Sequence, residues 1–80
     1  MMYIYNVNMD NIKIVVGNRL KESRKYKNMT QKQVATYLTM TQQQYSRFEN
    51  GVFELDYENL VKLSKLFEVS LDYLFGLTQF

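Results

Sequence analysis

The chain has 80 residues, of which 46% are hydrophobic, carries a formal net charge of +2, and lacks both cysteine and histidine. This length allows one domain with one modest core, and the missing residue types exclude disulfides, thiolate or imidazole metal sites, and Cys/His or Ser/His nucleophile pairs. Because no apolar run approaches the ~20 residues of a membrane span and no secretory signal pattern opens the sequence, a cytoplasmic protein is expected. Binding rather than catalysis is the expected activity, without a cofactor, a metal, a membrane or a small-molecule ligand.

Charge is distributed unevenly along the sequence. Residues 13–51 contain eight basic and two acidic side chains, a balance of +6, whereas residues 52–80 contain two basic and five acidic ones, a balance of −3, and Asp10 adds the last negative charge. A basic front half suggests a polyanionic partner, although ordinary solvated helix faces are an alternative explanation of the charge alone.

The N-terminal segment differs in character from the rest of the chain. Residues 1–11, MMYIYNVNMDN, include the strand-like run YIYNV. A lone strand in a helical domain has no hydrogen-bonding partner within its own chain. The segment is therefore expected to be disordered or to pair with the same segment of a second copy.

The first helix is predicted from about Asn11 to Tyr26, because apolar residues recur there at helical spacing, and Asn28 suits a left-handed position just past its end. Gly17 interrupts this pattern. Inside a helix glycine costs about 1 kcal/mol relative to alanine, so Gly17 is expected to permit close packing of another helix rather than to mark a site. The stripe facing the core comprises Ile12, Val15, Val16, Leu20 and Ser23.

Two short helices are predicted from repeated N-terminal caps. Thr30 with Gln33, and Thr41 with Gln44, have the Thr-x-x-Gln spacing of a capping box. In that motif the threonine oxygen accepts from the third helical N–H and the glutamine reaches back to the cap. The second and third helices therefore begin eleven residues apart. The second helix is expected to bury Val34, Ala35 and Leu38.

The third helix has an apolar side and a polar side that is nearly free of charge. At about 100° per residue, Tyr45 and Phe48 point inward. Glutamine can make a paired donor and acceptor contact with adenine in the DNA major groove, and arginine can do so with guanine, so this helix carries side chains suited to reading bases. The outward side comprises Gln43, Ser46, Arg47 and Asn50, with Gln42 near its N-terminal edge.

Two further helices complete the predicted fold. Asp56 and Ser70 are N-cap residues for a fourth and a fifth helix, and Gly76 ends the fifth. Five helices without a central sheet make an all-α domain over residues 12–77, followed by a tail at residues 78–80. Apolar side chains near the C-terminus exceed what so small a domain can cover, which favours a dimer interface there. These side chains are Leu74, Phe75, Leu77 and Phe80.

From about Val16 to Leu77 the sequence resembles a known family. The run TQKQVATYLTMTQQQYSRFENG is similar to the helix-turn-helix of the phage-repressor and Cro-like group, the XRE family, and DYENLVKLSKLFEVSLDYLFG is similar to its fourth and fifth helices. The resemblance implies a five-helix, lambda-repressor-like domain with the helix-turn-helix at helices 2 and 3. It also implies that the third helix lies in the major groove while the second crosses the backbone, commonly in a homodimer on a near-palindromic site.

The resemblance also implies roles for individual residues. Arg24 and Glu49 match a partly buried ion pair that ties the first helix to the third, although two separate surface charges are the alternative. Loss of such a pair would strand a charge in the core. Base contacts are implied for Gln42, Gln43 and Arg47, and contacts with the DNA backbone for Gln31, Ser46 and Asn50.

The sequence departs from the family pattern in two places. Thr39 stands in the turn where the family commonly has glycine, so either the turn geometry is altered or packing around Met40 holds some strain. Val52 and Phe53 stand where relatives often carry a basic residue that contacts phosphate. Backbone affinity is therefore expected to depend more on Arg19, Lys21 and Lys32.

The function implied is a sequence-specific transcriptional regulator that binds double-stranded DNA, with repression as the expected mode, and no enzyme activity. A protein-interaction module on the same fold, such as an antitoxin-like or antirepressor-like subunit, is the alternative. In that case a protein partner would occupy the polar face of the third helix, and binding would resist added salt.

Overall fold

The computed structural model describes residues 11–79, and within this range the chain is all-α, as predicted, with five helices and no strand. The first helix begins one residue later than predicted, because Asn11 is its N-cap. The two alternatives for the N-terminal segment concern residues that lie almost entirely outside the described range. The helices are α1 (Ile12–Tyr26), α2 (Gln31–Tyr37), α3 (Gln42–Glu49), α4 (Tyr57–Phe67) and α5 (Leu71–Leu74).

Side-chain caps start three of these helices. Both predicted capping boxes are present, since Thr30 and Thr41 each accept from the N–H three residues on while a glutamine reaches back to the cap. Ser70 caps α5 by accepting from the Tyr73 N–H at 3.0 Å. Asp56 occupies the N-cap position of α4 but makes no side-chain bond to the helix backbone. Its carboxylate accepts from the Asn59 amide at 2.7 Å instead.

All five helices end in the same hydrogen-bonded turn. A residue with φ between +58° and +79° donates its N–H to the carbonyl three residues back, and the next residue donates to the carbonyl five back, which is the Schellman motif. Asn28 takes this conformation, as predicted. Thr39 takes it too, with φ +60°. The turn therefore keeps its usual geometry, and the backbone of this β-branched residue is strained. The left-handed residues are Asn28, Thr39, Gly51, Glu68 and Gly76.

One core fills the space between the helices. Tyr45 from α3 and Leu63 from α4 are fully buried, as is Leu74 of α5. Because Leu74 belongs to this core, it does not join the C-terminal apolar surface expected at a dimer interface. Leu77 remains 48% exposed, and Phe80 lies outside the described residues. The remaining buried hydrophobic residues are Leu20, Val34, Ala35, Leu38, Leu55, Leu60 and Phe67.

Gly17 sets the distance between α1 and α3. A Cβ atom added there would lie 2.4 Å from the carbonyl oxygen of Glu49 and 2.6 Å from that of Phe48. Only a residue without a side chain allows the two backbones to come this close. The expectation that Gly17 permits close helix packing is confirmed, and α3 is thereby seated directly on α1.

Candidate nucleic-acid interface

The starts of α2 and α3 lie side by side. The Gln42 amide Nε2, at the first position of α3, donates to Oε1 of Gln31, at the first position of α2, at 3.4 Å. The left-handed residue Thr39 lies in the short turn that links the two helices. Met40 next to it packs against the core. The polar side chains at the two helix starts therefore form one continuous surface.

A buried ion pair fixes α3 to the rest of the domain. The Arg24 guanidinium meets the Glu49 carboxylate with two hydrogen bonds, Nε to Oε2 at 2.7 Å and Nη2 to Oε1 at 3.1 Å. Arg24 Nη1 also donates to the Met29 carbonyl at 3.0 Å, and the Gln31 amide donates to Glu49 Oε1 at 3.0 Å. The Glu49 side chain is fully buried. One carboxylate thus joins α1, α2 and α3, with paired geometry that favours precise orientation.

The protonation states of this cluster follow from its surroundings. Burial by itself would raise the pKa of Glu49, but the hydrogen bonds from Arg24 and Gln31 bring it below its usual value. The hydrogen bond with Glu49 raises the pKa of Arg24 despite partial burial. Burial raises the pKa of Tyr45, the neighbouring core tyrosine, far above its usual range. At neutral pH the pair is therefore ionised and the tyrosine is neutral.

The exposed face of α3 holds the residues predicted to read bases. Gln42, Gln43 and Arg47 are all exposed. Within the described residues, neither the Gln43 amide nor the Arg47 guanidinium has a hydrogen-bond partner. Ser46 is half-buried, and its Oγ accepts from Asn50 Nδ2 at 3.3 Å. The face therefore presents hydrogen-bonding groups that the fold itself does not use.

Two of the three cationic residues predicted to contact DNA lie on α1 and α2, the helices that pack against α3. Lys21 follows Gly17 by one helical turn and so lies on the side of α1 that meets α3. Lys32 is exposed next to Gln31 at the start of α2. Within residues 11–79 neither lysine forms an ion pair or a side-chain hydrogen bond.

The structure does not bring Arg19 to this surface. Its Nη1 donates to the carbonyl oxygens of Tyr73 at 3.1 Å and Thr78 at 3.0 Å, and its guanidinium stacks on the Tyr73 ring 4.3 Å from the centroid. Arg19 is two residues from Gly17, which places it on the opposite side of α1, against α5. Its role in the fold is to hold the chain that leaves α5.

Two side-chain contacts at this site are not predicted by the sequence. The predicted role of Gln31 is a contact with the DNA backbone alone, yet its amide bridges Glu49 and Gln42. These partners are 18 and 11 residues away, and no local spacing reveals them. The Arg47 guanidinium lies over the ring of Phe53, 5.8 Å from its centroid. The only sequence signal for this contact was the unusual apolar pair that follows Gly51.

Residues 11–79 contain neither a candidate metal-binding cluster nor a helix suited to spanning a membrane. No group of three or more acidic, cysteine or histidine side chains in residues 11–79 could hold a metal ion. None of the five helices has the length and apolar character needed to cross a bilayer.

Several known proteins are similar to this chain in sequence. A helix-turn-helix family model matches residues 20–74. The chain is 44% identical over 58 residues to the Bacillus subtilis (strain 168) uncharacterized HTH-type transcriptional regulator YqaE, covering 72% of this chain and 50% of that one. It is 41% identical over 61 residues to the HTH-type transcriptional regulator ImmR of the same organism, covering 76% of this chain and 48% of that one.

A third relative is matched over nearly its whole length. Control protein C.MunI of Mycoplasma sp is 37% identical over 69 residues, covering 85% of this chain and 93% of that one. By contrast, the chain spans about half the length of the two Bacillus relatives. The family match covers both helices of the motif, the ion pair and the two helices that follow. The chain therefore belongs to the helix-turn-helix family, of the phage-repressor and Cro-like (XRE) type.

Proposed function

We propose that this protein is a sequence-specific transcriptional regulator, acting as a repressor, that reads the major groove of double-stranded DNA with α3. It works in the cytoplasm as a homodimer on a near-palindromic operator. The observation that carries the proposal is the outward face of α3, where Gln43 and Arg47 are exposed and have no hydrogen-bond partner among residues 11–79. Uncharged amides around one arginine match the donor and acceptor pattern of base edges.

The base contacts divide among three side chains. Gln43 pairs its amide with the N6 and N7 positions of an adenine, and Arg47 pairs its guanidinium with O6 and N7 of a guanine. Gln42 is already bonded to Gln31, so its amide is oriented before DNA arrives and needs less ordering on binding. Each good paired contact discriminates against a wrong base by about 1–3 kcal/mol.

Contacts with the DNA backbone set the register of the complex. Gln31 gives one amide hydrogen to Glu49 and keeps the other for a phosphate, since an amide nitrogen has two donors. Asn50 likewise keeps one donor beyond its bond to Ser46. Lys21 and Lys32 add charge that attracts any sequence and makes affinity fall with salt.

The names of the relatives support a regulatory role, and apolar surface left exposed near the C-terminus supports a dimer. Two of the matched relatives are named transcriptional regulators and a third is named a control protein. Two-fold operators fit two-fold protein dimers with half-sites about one helical turn apart. Two described residues belong to the C-terminal surface proposed to meet the second copy: Phe75, which is partly buried against the core, and Leu77, which is 48% exposed.

The test is selection from a randomised duplex library at two salt concentrations. Wild type is compared with a Gln43→Ala, Arg47→Ala double variant and with Lys65→Ala, which removes one exposed charge from α4. We expect wild type and the Lys65 control to enrich the same two-fold motif and the double variant to lose or alter it. Motif-free, steeply salt-dependent binding by all three would refute base reading by α3 and favour a protein partner for this face.

A further inference from the structure

The contact between Arg47 and Phe53 is not explained by packing of the core. The Phe53 ring remains 52% exposed, so it contributes little to the interior that holds the helices together. The Arg47 guanidinium carbon nevertheless lies 5.8 Å from its centroid, within the range at which a cation is attracted to the face of an aromatic ring. The half-exposed ring therefore acts on the exposed face of α3 rather than on the core.

The end of α3 brings the two side chains together. Gly51 has φ +74°, and the N–H of Val52 donates to the Arg47 carbonyl at 2.9 Å. This left-handed turn folds the chain back on the last turn of α3. Phe53, six residues after Arg47, is thereby placed beside the arginine side chain rather than carried away from the helix.

The ring orients the arginine without using its donors. An acidic neighbour would also hold the guanidinium, but it would occupy N–H groups that a guanine needs. Within residues 11–79 Arg47 forms no ion pair or hydrogen bond through its guanidinium, and the Phe53 face attracts it through the ring quadrupole alone. All five N–H donors of the guanidinium therefore remain available, while the ring restricts the motion of the arginine side chain.

We infer that Phe53 is a positioning residue for base reading: it holds Arg47 in the orientation in which the guanidinium meets a base. This inference rests on the proposed function, because it concerns how one of the proposed reading residues works. Restricting a long side chain before binding reduces the ordering that binding requires. The effect is confined to the base pair that Arg47 reads, whereas a phosphate contact would change affinity for every sequence alike.

The experiment compares Phe53→Leu, which keeps an apolar side chain but removes the ring, with Phe53→Tyr, which keeps the ring, and with Arg47→Ala. The motif enriched by wild type from the random library, and its single-base-pair variants, are the probes. Arg47→Ala is expected to lower discrimination at its base pair roughly 5- to 150-fold. Phe53→Leu is expected to lower it about two- to fivefold at the same pair only, and Phe53→Tyr to retain it.

A second readout needs no DNA. NMR relaxation of the Arg47 Nε–H group in the free protein should show more motion in Phe53→Leu than in wild type or Phe53→Tyr. Unchanged motion, unchanged discrimination, or uniform weakening on all duplexes in Phe53→Leu would overturn the inference and leave DNA reading by α3 intact. Unchanged base preference in Arg47→Ala would also overturn it, with recognition left to the glutamines, whereas failure of wild type to enrich any motif would refute the proposed function itself.

Discussion

Replacing Gly17 by alanine tests whether the close contact between α1 and α3 requires a residue without a side chain. The added Cβ would lie 2.4 Å from the Glu49 carbonyl oxygen and 2.6 Å from that of Phe48. Carbon atoms in contact normally stay about 3.5 Å from their neighbours, so the helices must separate by roughly 1 Å. Both obstructing atoms are backbone atoms, and neither can move by changing a rotamer.

Two opposed effects decide the size of the loss. Alanine favours a helix interior by about 1 kcal/mol over glycine, whereas overpacking of this kind typically costs about 1–3 kcal/mol and occasionally more. Displacing α3 also loosens the bidentate pair between Arg24 and Glu49, which is buried and therefore costly to disturb. We expect Gly17→Ala to lower the free energy of unfolding by about 2 kcal/mol, a melting temperature about 8–16 °C lower for a domain of this size.

The assay is thermal and urea unfolding of wild type, Gly17→Ala and Asn18→Ala. Asn18 is the next residue of the same helix and is exposed, so alanine gains helix propensity there without a clash and should leave stability unchanged or slightly higher. If Gly17→Ala were as stable as Asn18→Ala, the close approach of the two backbones would not be what requires glycine, and the reasoning would be refuted.

Thr39→Gly should raise the free energy of unfolding by about 0.5–1 kcal/mol in urea titration, because it removes the strain of a β-branched residue at φ +60°. Thr36→Gly, inside α2, should lower the free energy of unfolding, and equal effects of the two substitutions would contradict the strain argument. The pKa of Glu49 is lower in the folded than in the unfolded protein, so its carboxylate contributes fully to folding stability above the unfolded pKa and loses that contribution as pH falls through the folded pKa. The difference in unfolding free energy between wild type and Glu49→Gln should therefore shrink below about pH 4. A difference that stays constant with pH would contradict this. Lys32→Ala should reduce the slope of log affinity against log salt by about one. Arg19→Gln, whose guanidinium bonds the carbonyls beyond α5, should lower the melting temperature and leave that slope unchanged.

Local chemistry explains why much of the fold could be predicted. Thr30 and Thr41 mark helix starts because a cap and its glutamine partner lie three residues apart, a spacing visible in sequence. The burial of Val34 and Leu38 follows from helical periodicity in the same way. Asp56 shows the limit of such signals, since Asn59, also three residues on, bonds its carboxylate in place of the backbone.

The exposure of the candidate site residues could be predicted from helical periodicity, whereas side-chain contacts with distant partners could not. Gln43 and Arg47 were assigned from the face of α3 on which they lie. Arg19, by contrast, bonds residues 54 and 59 positions away, and nothing in the order of residues shows which side of α1 meets α5. The ring of Phe53 beside Arg47 depends on the left-handed turn after α3, and the sequence offered only the absence of an expected basic residue there.

Methylation interference on the selected duplex tests the central claim most directly. Dimethyl sulfate modifies N7 of guanine, which lies in the major groove, and N3 of adenine, which lies in the minor groove. Reading by α3 predicts that N7 methylation within each half-site blocks binding of wild type, and that interference at the guanine read by Arg47 disappears in Arg47→Ala. Interference confined to adenine N3, or an N7 pattern unchanged in Arg47→Ala and Gln43→Ala, would contradict the proposal that α3 reads the major groove.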